Sequence, residues 1–176
     1  MPNALWLDIE TTGLTPAKDW VLEVGMIITT PGPEFAVLST QNWVLPYRVD
    51  LNHSVVPVVY EMHTKNGLWD ECRTAYNAEF PGTYESDMLE WMKENEAIGS
   101  VMHGATPSFD RSFLRLDFPG VEKAFHYRSF DVSTLKQFAL FFDPEFLWMD
   151  REIHRAIPDL RDSIANAIHF RNVFKP

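Results

Sequence analysis

An apolar run, Ala4-Leu5-Trp6-Leu7, leads straight into two carboxylates, Asp8 and Glu10, with one residue between them. Strand side chains alternate with a period of 2.0, so a strand through this stretch turns both acids to one face. Like charges this close oppose each other's ionisation, and burying them is costly unless cations, protons or donors neutralise them. The pair therefore asks for a strand that ends in a site. Its carboxylates can share one divalent cation, or two about 4 Å apart. On its own the stretch also fits an acidic turn after a strand.

Residues 4–8 read as the first strand, and the next segments set the rest of the sheet. Val21 to Thr30 reads as a second strand stopped by Pro31-Gly32-Pro33, and Phe35 to Leu45 as a third. A turn this short leaves no room for a crossover helix, so the three strands should form an antiparallel meander. From Leu68 the period lengthens. Leu68, Cys72, Ala75 and Tyr76 keep helical spacing, as do Tyr84, Met88, Leu89, Trp91 and Met92. Ile98 to Met102 reads as a strand, Ser108 to Leu116 as a helix, Tyr127 to Val132 as a strand, and Ser133 to Phe142 as a helix capped by Ser133. Asp143 to Arg155 has mixed signals and reads as a loop, after which Pro158 opens a helix toward Arg171. This order predicts one α/β domain over residues 1–176, a mixed five-stranded sheet of three antiparallel strands and then parallel ones, flanked by helices.

With 15 basic against 25 acidic side chains, the net charge of −10 disfavours a protein that grips long duplexes. It leaves room for a nucleic-acid enzyme, because metal-binding acids become electropositive once cations load. The lone cysteine, Cys72, excludes an intrachain disulfide and a zinc cluster and fits a reducing compartment. Neither a basic leader with an apolar core nor an 18-residue apolar window occurs, so a cytoplasmic protein without a membrane partner is expected.

Two later stretches carry further candidates. Asp110 comes after a Gly/Pro loop in the first turns of a helix, and His154 precedes a helix that has Asp159 near its start. Read singly, these are helix-start acids and a loop histidine as readily as ligands and a base. Asp162 rivals Asp159, which sits beside Pro158 and nearer the helix start.

Together the pieces resemble the DEDDh (DnaQ-like) family of 3′–5′ exonucleases, and within it the oligoribonucleases. Leu5 to Leu14 is similar to the opening motif, Phe125 to Lys136 to a distinctive auxiliary block, and His154-Arg155-Ala156 through Ser163-Ile164 to the last motif. The resemblance implies a ribonuclease H-like fold in which Asp8, Glu10, Asp110 and Asp159 hold two divalent cations, Mg²⁺ or Mn²⁺. It implies His154 as the base and nucleoside 5′-monophosphates as products of short single-stranded RNA. Leu14 would wedge against a base, His63 would meet the 5′ end, Thr106 would hold a phosphate, and Tyr127 and Arg128 would be supplied across a homodimer.

The match departs at Val58, where the family has a stacking tryptophan, and at Asn66, where it has a serine. A β-branched side chain offers no stacking platform, and Tyr60 or Trp69 would be the nearest replacement. An exonuclease acting on single-stranded DNA or longer RNA is therefore the alternative. A non-catalytic oligonucleotide- or protein-binding module of the same fold is another, opposed by the complete acid set. Arg111, Arg128 and Lys136 are candidate phosphate contacts.

Overall fold

The computed structural model describes residues 3–32, 34–47, 55–78, 83–149, 151 and 153–174. Its sheet runs in the order β3-β2-β1-β4-β5, built from β1 (Ala4–Thr11), β2 (Val21–Thr29), β3 (Val37–Val44), β4 (Met102–Gly104) and β5 (Ser129–Asp131). The first three strands are antiparallel, and β4 and β5 join in parallel, as the turn lengths require. Gly32, in the β2–β3 turn, takes a φ of +70°; Pro33 lies outside the described residues.

Several boundaries differ from those expected of the sequence. β1 does not stop at Asp8 but runs on through Glu10 to Thr11, because β2 pairs with it along that whole length. β4 starts at Met102 rather than Ile98, since Gly99 turns the chain with a φ of +80° and Ile98 faces solvent. The helices are α1 (Pro57–Lys65), α2 (Leu68–Asn77), α3 (Tyr84–Glu94), α4 (Pro107–Asp117), α5 (Pro119–Ala124), α6 (Val132–Phe142) and α7 (Ala156–Phe174). Neither α1 nor α5 shows in the apolar pattern. α1 buries His63 alone and so lacks an apolar stripe, while α5 is a six-residue turn opened by proline. Asp131, not Ser133, caps α6, accepting the Ser133 N–H at 2.9 Å.

Alternation along β1 divides the core. Leu5, Leu7 and Ile9 join Val24, Met26 and Ile28 under Met88, Met92, Phe113 and Leu114 of α3 and α4. Trp6 faces the other way with Ile27, against Val132 of α6 and Leu160, Ile164 and Ala167 of α7. Asp8 and Glu10 share the parity of Trp6 and therefore lie on the α7 side.

Two close approaches bring the acid-bearing elements together. A Cβ on Gly25, the β2 residue opposite Asp8, would lie 2.6 Å from the Ala156 Cβ at the head of α7. A Cβ on Gly104 would lie 2.8 Å from the Leu7 carbonyl oxygen, so β4 meets β1 without a side chain between them. The helix carrying Asp159 is thus seated directly on the sheet beneath Asp8. Gly25→Ala should force α7 off β2 and cost about 1–3 kcal/mol in urea denaturation. Val58→Ala, at a side chain 70% exposed, should stay within about 0.5 kcal/mol of the wild type.

Candidate active site

Where β4 ends, β1 loses its parallel neighbour and its last residues face a cleft. Asp8 and Glu10 from β1 and Asp159 from the first turn of α7 each bring an oxygen to within 4.8 Å of the others. Asp110 comes from the opposite layer, in the first turn of α4, and its Oδ1 accepts the Ile9 N–H at 3.1 Å. It takes the bond a strand would have made to β1, and thereby stands beside the two strand acids. The four carboxylates are the right donors for hard divalent cations, since all offer oxygen and three converge on one point.

Their electrostatics agree with that use. Burial, followed by repulsion from Asp110, Glu10 and Asp159, raises the Asp8 carboxyl well above its ordinary range. Burial, Asp159 and Glu23 push Glu10 up to about 8, against a partial offset from Arg155. Burial likewise pushes Asp110 up to about 7, although backbone N–H donors oppose it. A cleft that holds carboxylates protonated near neutrality gives those protons up to a cation. A cavity of about 190 Å³ opens from Asp8 and Asp159, walled by Ala105, Ser133, Trp148 and Asn166.

A second set of charges lies directly behind the first. Glu23 sits opposite Glu10 across the β1–β2 ladder and is 1% exposed. Arg155 meets it at 2.7 Å and also reaches Glu71 at 2.8 Å. The Ala156 N–H and the Asn42 amide complete the shell of Glu23 at 3.0 and 2.7 Å. Burial alone would raise the Glu23 carboxyl, but these donors outweigh it and hold it below the ordinary value. This network is invisible to the motifs, yet a lone charge in the otherwise apolar Val21-Leu22-Glu23-Val24 should have asked for a buried partner.

The comparisons with known proteins fit this geometry. The RNase_T exonuclease family model matches residues 5–166. Over 98% of its length the chain is 34% identical to the oligoribonuclease of Colwellia psychrerythraea, covering 95% of that protein. It is 35% identical to the oligoribonuclease of Azoarcus sp. over 98% of the chain and 96% of that protein. The chain belongs to the oligoribonuclease family of exonucleases. Its fold is also that of E. coli exonuclease I in complex with an oligonucleotide, with a TM-score of 0.70 at 18% identity over 100% of this chain. It spans only 42% of that larger enzyme, and the likeness speaks for the fold alone.

The remaining residues expected from the oligoribonuclease motifs fall in several places. His154 is exposed, has a φ of +54°, and lines a cavity with Met62, Lys65 and Asn66 rather than joining the acid cluster. His63 is wholly enclosed: its Nε2 lies 3.2 Å from the Thr11 carbonyl oxygen and 3.8 Å from the Glu10 carboxylate. It stands as a wall of the cleft, and burial lowers its tendency to protonate. Leu14 projects from the loop after β1, 81% exposed. Thr106 heads α4 with a φ of +55°, its N–H donated to Asp131 and its hydroxyl 3.0 Å from that of Ser133.

Tyr127 and Arg128 are exposed, with the guanidinium 5.3 Å from the tyrosine ring. They precede β5, whose Ser129 is level with Met102 and so with Leu5. At roughly 3.3 Å per residue Arg128 and Tyr127 stand about 13 and 16 Å short of their own Asp8 along the strand direction. Arg111 is not a phosphate contact. It is 6% exposed and donates to Glu122, Ser129 and the carbonyls of His126 and Arg128, which braces the block from within. Asp162 is taken up by Arg151, leaving Asp159 as the acid of α7 that faces β1. Burial pushes the Cys72 thiol up to about 12, so it is inert.

The raised carboxyl of Glu10 has a stability consequence. The metal-free fold keeps a proton that the unfolded chain releases, so this contribution is complete below the ordinary value of 4.5 and lost as pH rises to about 8. With chelator present, the thermal midpoint should fall across that window. Glu10→Gln should then melt higher than the wild type at pH about 8, by roughly 2–4 °C per kcal/mol of repulsion relieved. Scanning calorimetry with Mn²⁺ should reverse the order, because the wild type alone keeps the full ligand set.

Proposed function

We propose that the chain is a two-metal 3′–5′ exoribonuclease that trims short single-stranded RNA to nucleoside 5′-monophosphates and works as a cytoplasmic homodimer. Membership of the oligoribonuclease family makes the activity exonucleolytic hydrolysis from the 3′ end. The observation that carries the rest is the meeting of Asp8, Glu10 and Asp159 within 4.8 Å, with Asp110 alongside. When bound, Mg²⁺ or Mn²⁺ supplies positive charge against the phosphate oxygens and eases deprotonation of the attacking water. Asp8, Glu10, Asp110 and Asp159 would hold the cations. His154 takes the proton from water as the general base. Its exposed position, apart from the acid cluster, is that of a base which closes only over bound phosphate.

Recognition is assigned to the side chains around that centre. Leu14, projecting freely, wedges against a base. Thr106, at the head of α4, holds a phosphate where the helix end favours an anion. His63 steadies the Glu10 side of the cradle and meets the 5′ end only from within the wall. Tyr127 and Arg128 serve the cleft of a second copy, a reading supported by their distance from their own acids and by exposed Phe141, Phe142 and Leu147.

One observation favours a second reading, wider in substrate length. Val58 is 70% exposed on α1 and offers no ring to a terminal base, while Tyr60 lies half over Trp69, with centroids 6.3 Å apart. A length series of 5′-labelled RNA and DNA with Mn²⁺ separates the two. Short RNA should turn over fastest, chelator should stop the reaction, and Asp110→Ala should abolish it without unfolding the protein. A rate that does not fall with length defeats the short-RNA preference. The dimer is tested by mixing: Asp8→Ala and Tyr127→Ala proteins, each inactive, should together recover about one quarter of wild-type activity once subunits exchange, because half the dimers are mixed and each has one complete site.

A further inference from the structure

Asn66, where the family has a serine, stands at the junction of α1, α2 and the segment that carries His154. It ends α1, and its Oδ1 accepts the Leu68 N–H at 3.1 Å, which starts α2. Its amide nitrogen donates to the His154 carbonyl oxygen at 2.5 Å, with the Ile153 carbonyl and the Nδ1 of His63 in α1 each at 3.4 Å. The Asn66 carbonyl in turn accepts from Arg155 at 3.4 Å. One side chain therefore ties α1 and α2 to the chain on both sides of His154, a residue held at a positive φ.

The tether is matched by others further along. Arg155 is locked onto Glu23 and Glu71, and Ala156 onto Glu23, so the chain is fixed immediately after His154. Before it, Met149 exchanges two hydrogen bonds of 2.8 Å with the buried side chain of Asn166. The imidazole itself faces a cavity of about 420 Å³, lined by Met62, Lys65, Asn66 and Ile153. The backbone is held while the ring has space to turn.

We infer that Asn66 is a positioning residue for His154: its amide clamps the His154 carbonyl, so that only the imidazole has to move when substrate arrives. The inference rests on His154 acting as the base of the proposed reaction. It predicts that Asn66 acts on turnover rather than on binding, and only through His154. Asn66→Asp is the selective variant, because the new carboxylate still accepts the Leu68 N–H but has lost both donors to the His154 segment. Asn66→Ala removes the clamp without adding charge.

The test measures kcat and KM on a short RNA with Mn²⁺ for the wild type, Asn66→Asp, Asn66→Ala, His154→Ala and the double variant Asn66→Ala/His154→Ala. Mn²⁺ titration and thermal melting accompany it. Both Asn66 variants should lose about 10–100-fold in kcat, the scale on which a misplaced catalytic group acts, with KM within about twofold. Mn²⁺ affinity should be unchanged in both and the melting temperature unchanged in Asn66→Asp, while Asn66→Ala, which also gives up the Leu68 N–H acceptor, should melt roughly 2–4 °C lower; in kcat Asn66→Ala should cost less than about twofold more once His154 is alanine. A loss of equal size in both backgrounds, or one that tracks melting temperature or KM, overturns the inference. Full activity of His154→Ala is a separate result that removes the base itself and the inference with it.

Discussion

The carboxylates gathered at the end of β1 repel one another, and much of the surrounding structure is arranged to hold them together despite that. Three separate constraints deliver the four. Asp8 and Glu10 are delivered by strand parity and by β2, which pairs far enough along β1 to keep both acids in the sheet. Asp110 is held because β4 stops at Gly104 and leaves the Ile9 N–H for a side chain to satisfy. Asp159 arrives because Gly25 has no side chain to keep α7 away. Buried donors of this kind are normally neutralised, and here nearby cationic help is partial: Arg155 lowers Glu10 but does not cancel the push from burial and Asp159. The site is thus costly as a piece of fold and well suited to a cation, a trade commonly found where stability is given up for function.

Glu23 and Arg155 keep that cost from spreading. A glutamate directly opposite Glu10 on the neighbouring strand adds a fifth negative charge, and Glu10 feels it. That push is partly offset because Glu23 is covered by a guanidinium, a backbone N–H and an asparagine amide, which keep it ionised and paired. Buried ion pairs seldom add net stability over an apolar alternative, but losing one partner leaves the other charge buried and unpaired. The value of this pair lies in where it puts the chain. Arg155 adjoins His154, and Ala156 is the residue that touches Gly25, so one ion pair fixes both the segment bearing the proposed base and the helix bearing Asp159.

How much of the molecule was legible in its sequence depends on the range of the forces involved. Strand parity and the short turn at Gly32 are local, and from them came the meander and the common face of Asp8 and Glu10. Strict apolar periodicity likewise revealed α2, α3 and α4. α1 was missed because its only buried side chain is His63, held by a polar contact to Thr11 that no hydropathy pattern contains. β4 was misplaced because Gly99 ends one segment through its backbone, whereas the apolar residues run on. The four acids could be proposed from motif resemblance, but their convergence depends on contacts 101 residues apart in sequence, as between Ile9 and Asp110. Arg111 misled for the opposite reason. A basic residue near a phosphate motif invites a functional reading, and only the carbonyls of His126 and Arg128 around it show that it braces the interior.

Thr106, which heads α4, and His154, which precedes α7, lie in the left-handed region, with φ of +55° and +54°. Such backbone costs on the order of 1–3 kcal/mol and persists where neighbours over-determine it. Threonine, being β-branched, resists it most, and it is held there by Asp131 on its N–H and Ser133 on its hydroxyl. At His154 the restraint is on the carbonyl, through Asn66. In each case a side chain from another element holds a main-chain group of the strained residue. The two devices differ in what they leave free. Thr106 has its hydroxyl already engaged and can only present a fixed surface, whereas His154 has a ring facing an open cavity and can move. Fixed geometry suits the phosphate contact proposed for Thr106, and a mobile ring suits the base proposed at His154, which would have to reach a water only after the phosphate is in place.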